Sequence, residues 1–409
     1  MRATPVIFNA PMASDDADIL RACGLPIFFA LPEGAAGLRL PENRHGQSVR
    51  VFARSLTVMQ KEAIAASALT GNAWRLASDE GPYLDGFDAA PCPLAFLSTG
   101  MAASYMTELL ALAKERGILV RDVALVQDNF YTMEGSALRG TMTGGALPVE
   151  LEVRLRSEAA TEVLQTLAGD AVEASPINGL MRGAHASLFS ARRNGTTVAL
   201  GAVRSIAPLA EPDPRETLAR RVPASARLDR ALVERAAAAA AVEGIAGGAH
   251  SSLKDAQSRT LHLRAMCTVR PDGVKEIEQH LYSPLGSTFR FLCDEAESRG
   301  GRGTAPDAAS YMAAGIAFCF MTQLGRYAKI AKRNLHQYNV IQDVHFSLGG
   351  ASGRTGVPGQ ADAVETHVYL TSADDDGFAR KVVEMGEQTC FLHAFCRTDL
   401  APKVRVTRL

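Results

Sequence analysis

The pattern of apolar and polar positions predicts one order of elements in the first half of the chain. An apolar segment from Pro93 to Arg116, ended by Gly117, predicts a buried helix. A second helix is predicted from Ser157 to about Ala174, because Pro176 cannot occupy a helix interior. Strands are predicted at Ser48–Met59, Asn72–Ala77, Val120–Met133 and Val149–Arg156, with a closing hairpin of Ser187–Ala191 and Thr196–Arg204. This order of strands and helices predicts an α+β fold.

The second half of the chain repeats this order. Adding 215 to a residue number aligns residues 90–182 with residues 305–397 without a gap, so that Gly100 becomes Gly315 and Gln127-Asp128 becomes Gln342-Asp343. The second half has predicted strands near Thr260–Val269 and at Ser287–Leu292, His336–Leu348, Ala363–Leu370 and Lys403–Thr407. Its predicted helices are Asp307–Lys332, Asp374–Glu387 and a short one after Cys390.

The repeat sets the expected domain boundaries. A chain of 409 residues is too long for one ordinary core. We expect an N-terminal arm at 1–45, a first domain at 46–205, a linker at 206–255 and a second domain at 256–409. The linker contains six consecutive alanines, which predict a helix over Arg227–Val242.

Composition excludes several classes of partner. A net charge of −1 and a pI near 6.8 argue against binding to nucleic acid or to an anionic membrane. We find no apolar run near the roughly 18 residues of a membrane helix and no signal peptide. The seven cysteines show neither a disulfide framework nor zinc spacing, so we expect a cytoplasmic protein without metal or cofactor.

Two cysteines distinguish the second half from the first. Under the offset, Cys319 corresponds to Ser104 and Cys390 corresponds to Ser175. A cysteine inside a buried helix is usually a packing residue, but two thiols that occur together in one copy and are absent together from the other behave as a functional unit. Cys390 opens a helix, where N–H groups favour a thiolate. If the fold brings the sulfurs together, one can be oxidised and the other can resolve it as a disulfide.

His393 is the third candidate catalytic residue. It lies three residues after Cys390, on the same helical face, where it could pair with the thiolate or transfer a proton. The alternative is a partly buried histidine capped by a carbonyl.

These residues resemble a known family. Asp294-Glu295, Gly300-Gly301, the helix that carries Cys319 and the later Cys390-Phe-Leu-His393 are similar to the pattern of the OsmC/Ohr superfamily of thiol-dependent hydroperoxide-resistance proteins. The resemblance implies two tandem OsmC-like domains, each a sheet wrapped around two central helices. Members of this family form intertwined dimers with sites at the interface. The duplication would supply such a dimer within one chain, with one cysteine-bearing site and one degenerate site.

The sequence also departs from the family. Its peroxidase branch has a Glu that holds an Arg over the reactive sulfur, and Leu94 and Ala309 stand at those positions. Glu295 with Arg290 could replace that pair, although Asp-Glu also occurs in the cysteine-free half, which favours a structural role.

Three functions are compatible with this reading. The first is reduction of peroxides or organic hydroperoxides by Cys319 and Cys390, with a small-molecule substrate and a thiol reductant as partners. The second is sulfur transfer or covalent thiol chemistry on a small metabolite. The third is a non-catalytic module that binds a hydrophobic small molecule. The chain could also assemble as a homo-oligomer.

Overall fold

The computed structural model describes residues 17–227, 230–239 and 257–409, and it has a mixed α+β architecture. Its helices are α1 (Ile19–Ala22), α2 (Pro93–Glu115), α3 (Thr161–Ala174), α4 (Gly179–Arg182), α5 (Pro214–Ser225), α6 (Ala308–Ile330), α7 (Asp376–Thr389) and α8 (Phe391–Arg397).

The strands of the first repeat are β1 (Phe29–Ala30), β2 (Gly46–Ser55), β3 (Lys61–Ser67), β4 (Ala73–Ser78), β5 (Arg121–Gly135), β6 (Thr143–Ala146), β7 (Glu150–Arg156), β8 (Leu188–Arg193), β9 (Thr196–Val198) and β10 (Arg204–Ser205). Those that follow are β11 (Val233–Ala237), β12 (Gln257–Val269), β13 (Lys275–Ser283), β14 (Thr288–Cys293), β15 (Leu335–Ser347), β16 (Glu365–Ser372) and β17 (Lys403–Arg408).

Each of the two sheets takes strands from both repeats. The first sheet has the order β1-β4-β3-β2-β15-β16-β8-β10, and the second has the order β11-β14-β13-β12-β5-β7-β17. The exchange occurs where β2 pairs with β15 and where β12 pairs with β5, both antiparallel. Neither repeat therefore completes a sheet by itself, and the chain folds as the intertwined pseudo-dimer expected from the resemblance.

The two long helices cross between the sheets. Helix α6 packs on β15, β2 and β3 of the first sheet, and α2 packs on β12 and β13 of the second. A Cβ atom added to Gly100 would lie 2.5 Å from the carbonyl oxygen of Ala308, and one added to Gly315 would lie 2.9 Å from the amide nitrogen of Leu97. The crossing requires glycine at both repeat-related positions because the backbones approach so closely.

Element bounds repeat with the same offset as the sequence. Helix α2 corresponds to α6 and α3 to α7, while β4 corresponds to β14 and β8 to β17, each pair with identical shifted bounds. The predicted α+β fold, with sheets around paired central helices, is confirmed.

The predicted alanine-rich helix is wrong where the structure can test it. Val233–Ala237 forms β11 and pairs with the edge of β14, as β1 pairs with β4. Open N–H and C=O groups of a sheet edge can override a helix propensity of a few tenths of a kcal/mol per residue. Residues 228–229 and 240–242 of the predicted helix lie outside the described part. The linker instead contains α5, which the sequence did not predict.

One expectation about membrane helices also needs correction. Helix α6 is 23 residues long, and an 18-residue window within it reaches a mean hydropathy of 1.2, enough to cross a membrane by length and composition. Every residue of that window is buried inside the protein. Burial between α2 and the first sheet accounts for its apolar character.

Candidate active site

The fold brings together the two cysteines singled out by the sequence. Cys319 lies in the middle of α6, and Cys390 is the residue that precedes α8. The Cys390 side chain is a neighbour of Cys319, and burial together with this neighbour raises the pKa of Cys319 well above its ordinary value. The backbone N–H of Leu392 acts in the opposite direction by stabilising the thiolate. All seven cysteines are unpaired, so the site contains a dithiol.

The corresponding serines make the same contact in the first repeat. Ser104 Oγ lies 2.7 Å from Ser175 Oγ, and both side chains are buried. The serine pair satisfies its own polar groups without any reactive atom. Because both repeats place these positions side by side, the close approach is a property of the fold and the sulfurs are particular to the second repeat.

His393 contacts the second thiol. Its Nδ1 lies 3.2 Å from Cys390 Sγ, and its ring packs against Phe189 and Phe320 at centroid distances of 5.2 and 5.3 Å. Burial lowers the pKa of His393 to about 4, so the imidazole is neutral at physiological pH. Its Nε2 has no hydrogen-bond partner within the described part of the chain. The structure thus favours pairing with the thiol over the carbonyl-capped alternative.

A cavity of about 150 Å³ reaches Cys319 from outside. Its walls are mostly apolar and include Leu94, Leu261, Leu281 and Phe391. Cys390 and His393 do not line the cavity, and Cys390 is fully buried. Cys319 therefore faces an incoming small molecule while Cys390 lies behind it.

The polar end of the cavity includes Arg326, and Lys61 lies behind the lining residue Thr322; the sequence analysis missed both groups. Lys61 Nζ donates to Thr322 Oγ1 at 2.6 Å and to the carbonyl oxygen of Met59 at 2.8 Å. Burial lowers the pKa of Lys61 to about 8. Burial, reinforced by the neighbouring Arg259, lowers the pKa of Arg326 to about 10. The electrostatic interactions of Lys61 and Arg326 with Cys319 favour its thiolate.

A comparison of the repeats could have identified one of these cations. The position of Arg326 is Ala111 in the first repeat. Lys61 does have a counterpart, because it pairs with Ser78 as Lys275 pairs with Cys293 in the second repeat. The sequence analysis applied this comparison to the cysteines alone.

A carboxylate from the first repeat completes the cavity wall. Tyr83 donates its hydroxyl to Glu80 Oε2 at 2.7 Å, and burial raises the pKa of Glu80. Glu80 belongs to the first repeat and Cys319 to the second, so the site is composite. Arg290 and Glu295 do not replace the missing family pair: Arg290 lies 3.7 Å from Glu276 at the surface, and Glu295 belongs to the serine side.

A protein family and a solved structure are similar to part of the chain. Residues 301–404, which contain both thiols and His393, match the family described as OsmC-like protein. This part of the second repeat is OsmC-like. A crystal structure of an OsmC-like hydroperoxide resistance protein from Jannaschia sp. CCS1 is similar at 20% identity over 32% of this chain and 82% of that one, with a TM-score of 0.19. No curated protein matches the chain.

In contrast with the OsmC-like domain, the serine side is closed by a buried ion cluster. Arg299 donates to Glu295 Oε2 at 2.7 Å and to Glu108 Oε1 at 3.2 Å. Glu108 Oε2 also accepts the backbone N–H groups of Ala351 and Ser352, each at 2.9 Å. A cleft of about 1140 Å³ lies outside this cluster, and its lining includes neither Ser104 nor Ser175.

The glycine-rich loop at residues 349–356 stabilises the fold. Its glycines would suit either phosphate binding or an ordinary interstrand loop. Its backbone N–H groups hold a carboxylate of the protein itself, that of Glu108. This contact favours the structural reading.

One group of side chains could hold a metal ion by distance alone. Ligand atoms of Asp343, Glu365 and His367 lie within 4.8 Å of one another. However, Arg50 binds both carboxylate oxygens of Asp343 at 2.7 Å, and Arg44 binds Glu365 at 2.6 Å. The two guanidinium groups already supply the positive charge that a metal would bring.

Proposed function

We propose that the protein reduces peroxides or organic hydroperoxides with Cys319 and Cys390 as its redox pair. The observation that carries the proposal is that Cys319 borders an apolar cavity and has Cys390, which does not line the cavity, as a neighbour. The OsmC-like match supports a peroxide-related redox role at the level of the family.

Cys319 is the attacking thiol in this proposal. Its thiolate attacks the terminal oxygen of the hydroperoxide, the O–O bond breaks, and the alcohol leaves after taking a proton. Cys319 becomes a sulfenic acid. Lys61, Arg326 and the N–H of Leu392 favour the thiolate against the effect of burial.

Cys390 is the resolving thiol. Its sulfur attacks the sulfenic sulfur of Cys319, a disulfide forms, and hydroxide leaves as water. Neutral His393 accepts the proton of Cys390 at Nδ1 and passes it to the leaving hydroxide. Because the pKa of His393 is low, its imidazolium releases this proton readily. A thiol reductant supplies two electrons and restores both thiols. We also propose a reducing, cytoplasmic location, because seven cysteines without a disulfide framework suit such a compartment.

Peptide mass spectrometry of the reduced protein tests the assignment. After cumene hydroperoxide we expect a Cys319–Cys390 disulfide in the wild type, a sulfenic acid at Cys319 that dimedone traps in Cys390→Ser, and no oxidation at Cys390 in Cys319→Ser. Sulfenic acid on Cys390 in Cys319→Ser, formed at the wild-type rate, would reverse the roles of the two thiols.

The same assay separates the alternatives. A persulfide on Cys319 after a sulfane-sulfur donor, with no reaction toward peroxides, would favour sulfur transfer. Unchanged masses with every reagent would leave a binding module. Cys396→Ser is the matched control, because Cys396 is a buried thiol on α8 that does not border the cavity, and the disulfide should form normally.

A further inference from the structure

The cavity beside Cys319 has an apolar wall and a cationic end. Arg259 and Arg326 both line it, together with the amide of Gln323. Among the described residues in the lining, Glu80 is the one carboxylate against these two guanidinium groups. The lining therefore carries an excess of one positive charge.

Arg259 is the guanidinium group in this lining that has no hydrogen-bonded or ion-paired partner among the described residues. Within the described residues it makes no hydrogen bond and no ion pair, and its Nε is buried without a partner. Burial lowers the pKa of Arg259, which means that its charge is held at an energetic disadvantage. A partly buried cation with a buried Nε of this kind is usually paired, so an anion that enters the cavity would be stabilised there.

Arg326 adds to this potential. Its Nη1 donates to Gln323 Oε1 at 3.2 Å, and the nearby charge of Arg259 lowers the pKa of Arg326. Cys319 interacts electrostatically with Lys61 and Arg326, whereas Arg259 interacts with Glu80 and with Arg326. The thiolate of Cys319 thus has its own cations, and Arg259 is left for the substrate.

We propose that the cavity selects hydroperoxides that carry a carboxylate, with Arg259 binding the carboxylate while the hydroperoxy group meets Cys319. The inference rests on the proposed function and specifies its substrate class. The carboxylate takes no part in the redox step, which remains oxidation of the dithiol and reduction of the O–O bond. A volume of about 150 Å³ suits a short or single-ring substrate.

Steady-state kinetics with a matched pair of substrates tests the selection. We compare cumene hydroperoxide with the same compound carrying a carboxylate on its ring. A charge-assisted contact should give the carboxylate a kcat/KM about tenfold higher at low salt, decreasing as salt is added. Arg259→Gln should reduce the ratio of the two kcat/KM values to about one, and Arg259→Lys should keep part of it.

The matched control is Arg290→Gln, which removes one positive charge from the surface of the same repeat. It should preserve the ratio, because Arg290 does not line the cavity. Equal kcat/KM values for both substrates in the wild type, or an unchanged ratio in Arg259→Gln, would overturn the inference.

A binding measurement distinguishes this inference from the proposed function. Calorimetry of the reduced protein with 4-isopropylbenzoate and with the neutral 4-isopropylbenzamide needs no turnover. We expect about tenfold tighter binding of the benzoate, lost in Arg259→Gln. Benzoate binding without peroxidase activity would reject the proposed reaction and keep the anion site. Peroxidase activity without preference for the benzoate would reject the anion site alone.

Discussion

Replacing Arg299 by leucine should strongly destabilise the protein. Leucine is the residue at the repeat-related position 84, so the change copies the cysteine side onto the serine side. The side chain of Arg299 is 1% exposed, and those of its partners Glu108 and Glu295 are 0% exposed. Removal of the guanidinium leaves two carboxylates without their buried cation.

The expected loss follows from that geometry. Breaking a buried ion pair by removal of one partner typically lowers the free energy of unfolding by about 3–5 kcal/mol. Glu108 keeps the N–H groups of Ala351 and Ser352, which should hold the loss near the lower end of this range. Glu108→Gln alone should lower the free energy less, by about 1–3 kcal/mol, because Arg299 still bonds Glu295.

Urea denaturation of the two single variants and the double variant forms a double-mutant cycle. The double variant has glutamine at position 108, and the repeat-related position also holds glutamine, Gln323. It buries one charge fewer than Arg299→Leu. Its loss should be at least about 1 kcal/mol smaller than the sum of the two single losses. Additive losses, or a loss below about 1 kcal/mol for Arg299→Leu, would refute the argument that this cluster is a buried, mutually dependent network.

Three further predictions concern the site and the helix crossing. Lys61→Met should lower the hydroperoxide rate at pH 7 about tenfold and shift the pH–rate profile upward. Between pH 8 and pH 10.5 Lys61 is protonated in the unfolded chain but largely neutral in the folded protein, where its pKa is about 8, so the wild-type free energy of unfolding should rise with pH. Lys61→Met should abolish this rise, and an unchanged dependence of stability on pH would contradict the prediction. Gly100→Ala should lower the free energy of unfolding by about 1–3 kcal/mol in urea, since its Cβ would meet a backbone oxygen at 2.5 Å, and a neutral effect would exclude a tight crossing. Ser104→Cys with Ser175→Cys, in a chain without Cys319, should form a disulfide with diamide but turn over no cumene hydroperoxide; turnover would show that the serine side is open.

The helices could be predicted from the sequence because their signals are local. Pro93 at the first turn and Gly117 after the end set the bounds of α2, and the gapless offset carried them to α6. Strand β3 was missed because Lys61 and Glu62 make it look exposed. In the fold Glu62 is buried between Arg54 and Arg75, contacts that depend on neighbouring strands.

The candidate site divides in the same way. Cys319 and Cys390 could be identified because the repeat compares each position with a copy of itself. Arg259 could not, because its significance lies in the absence of a partner, which only the folded arrangement reveals. The recurrence of Asp-Glu in both repeats favours a structural role for Glu80 and Glu295 alike. In the structure Glu80 lines the open cavity, whereas Glu295 belongs to the closed ion cluster.

The first repeat is still needed by the fold and by the site although it lacks both thiols. The serine pair at 2.7 Å replaces one internal contact with another, so the fold needs no sulfur there. The first repeat still supplies Lys61 and Glu80 to the site that contains Cys319, and its strands complete both sheets. Substitutions that remove the reagents of the first repeat are therefore tolerated. Substitutions that unfold it would remove the active site of the second, because Lys61 and Glu80, which interact electrostatically with Cys319, come from the first repeat.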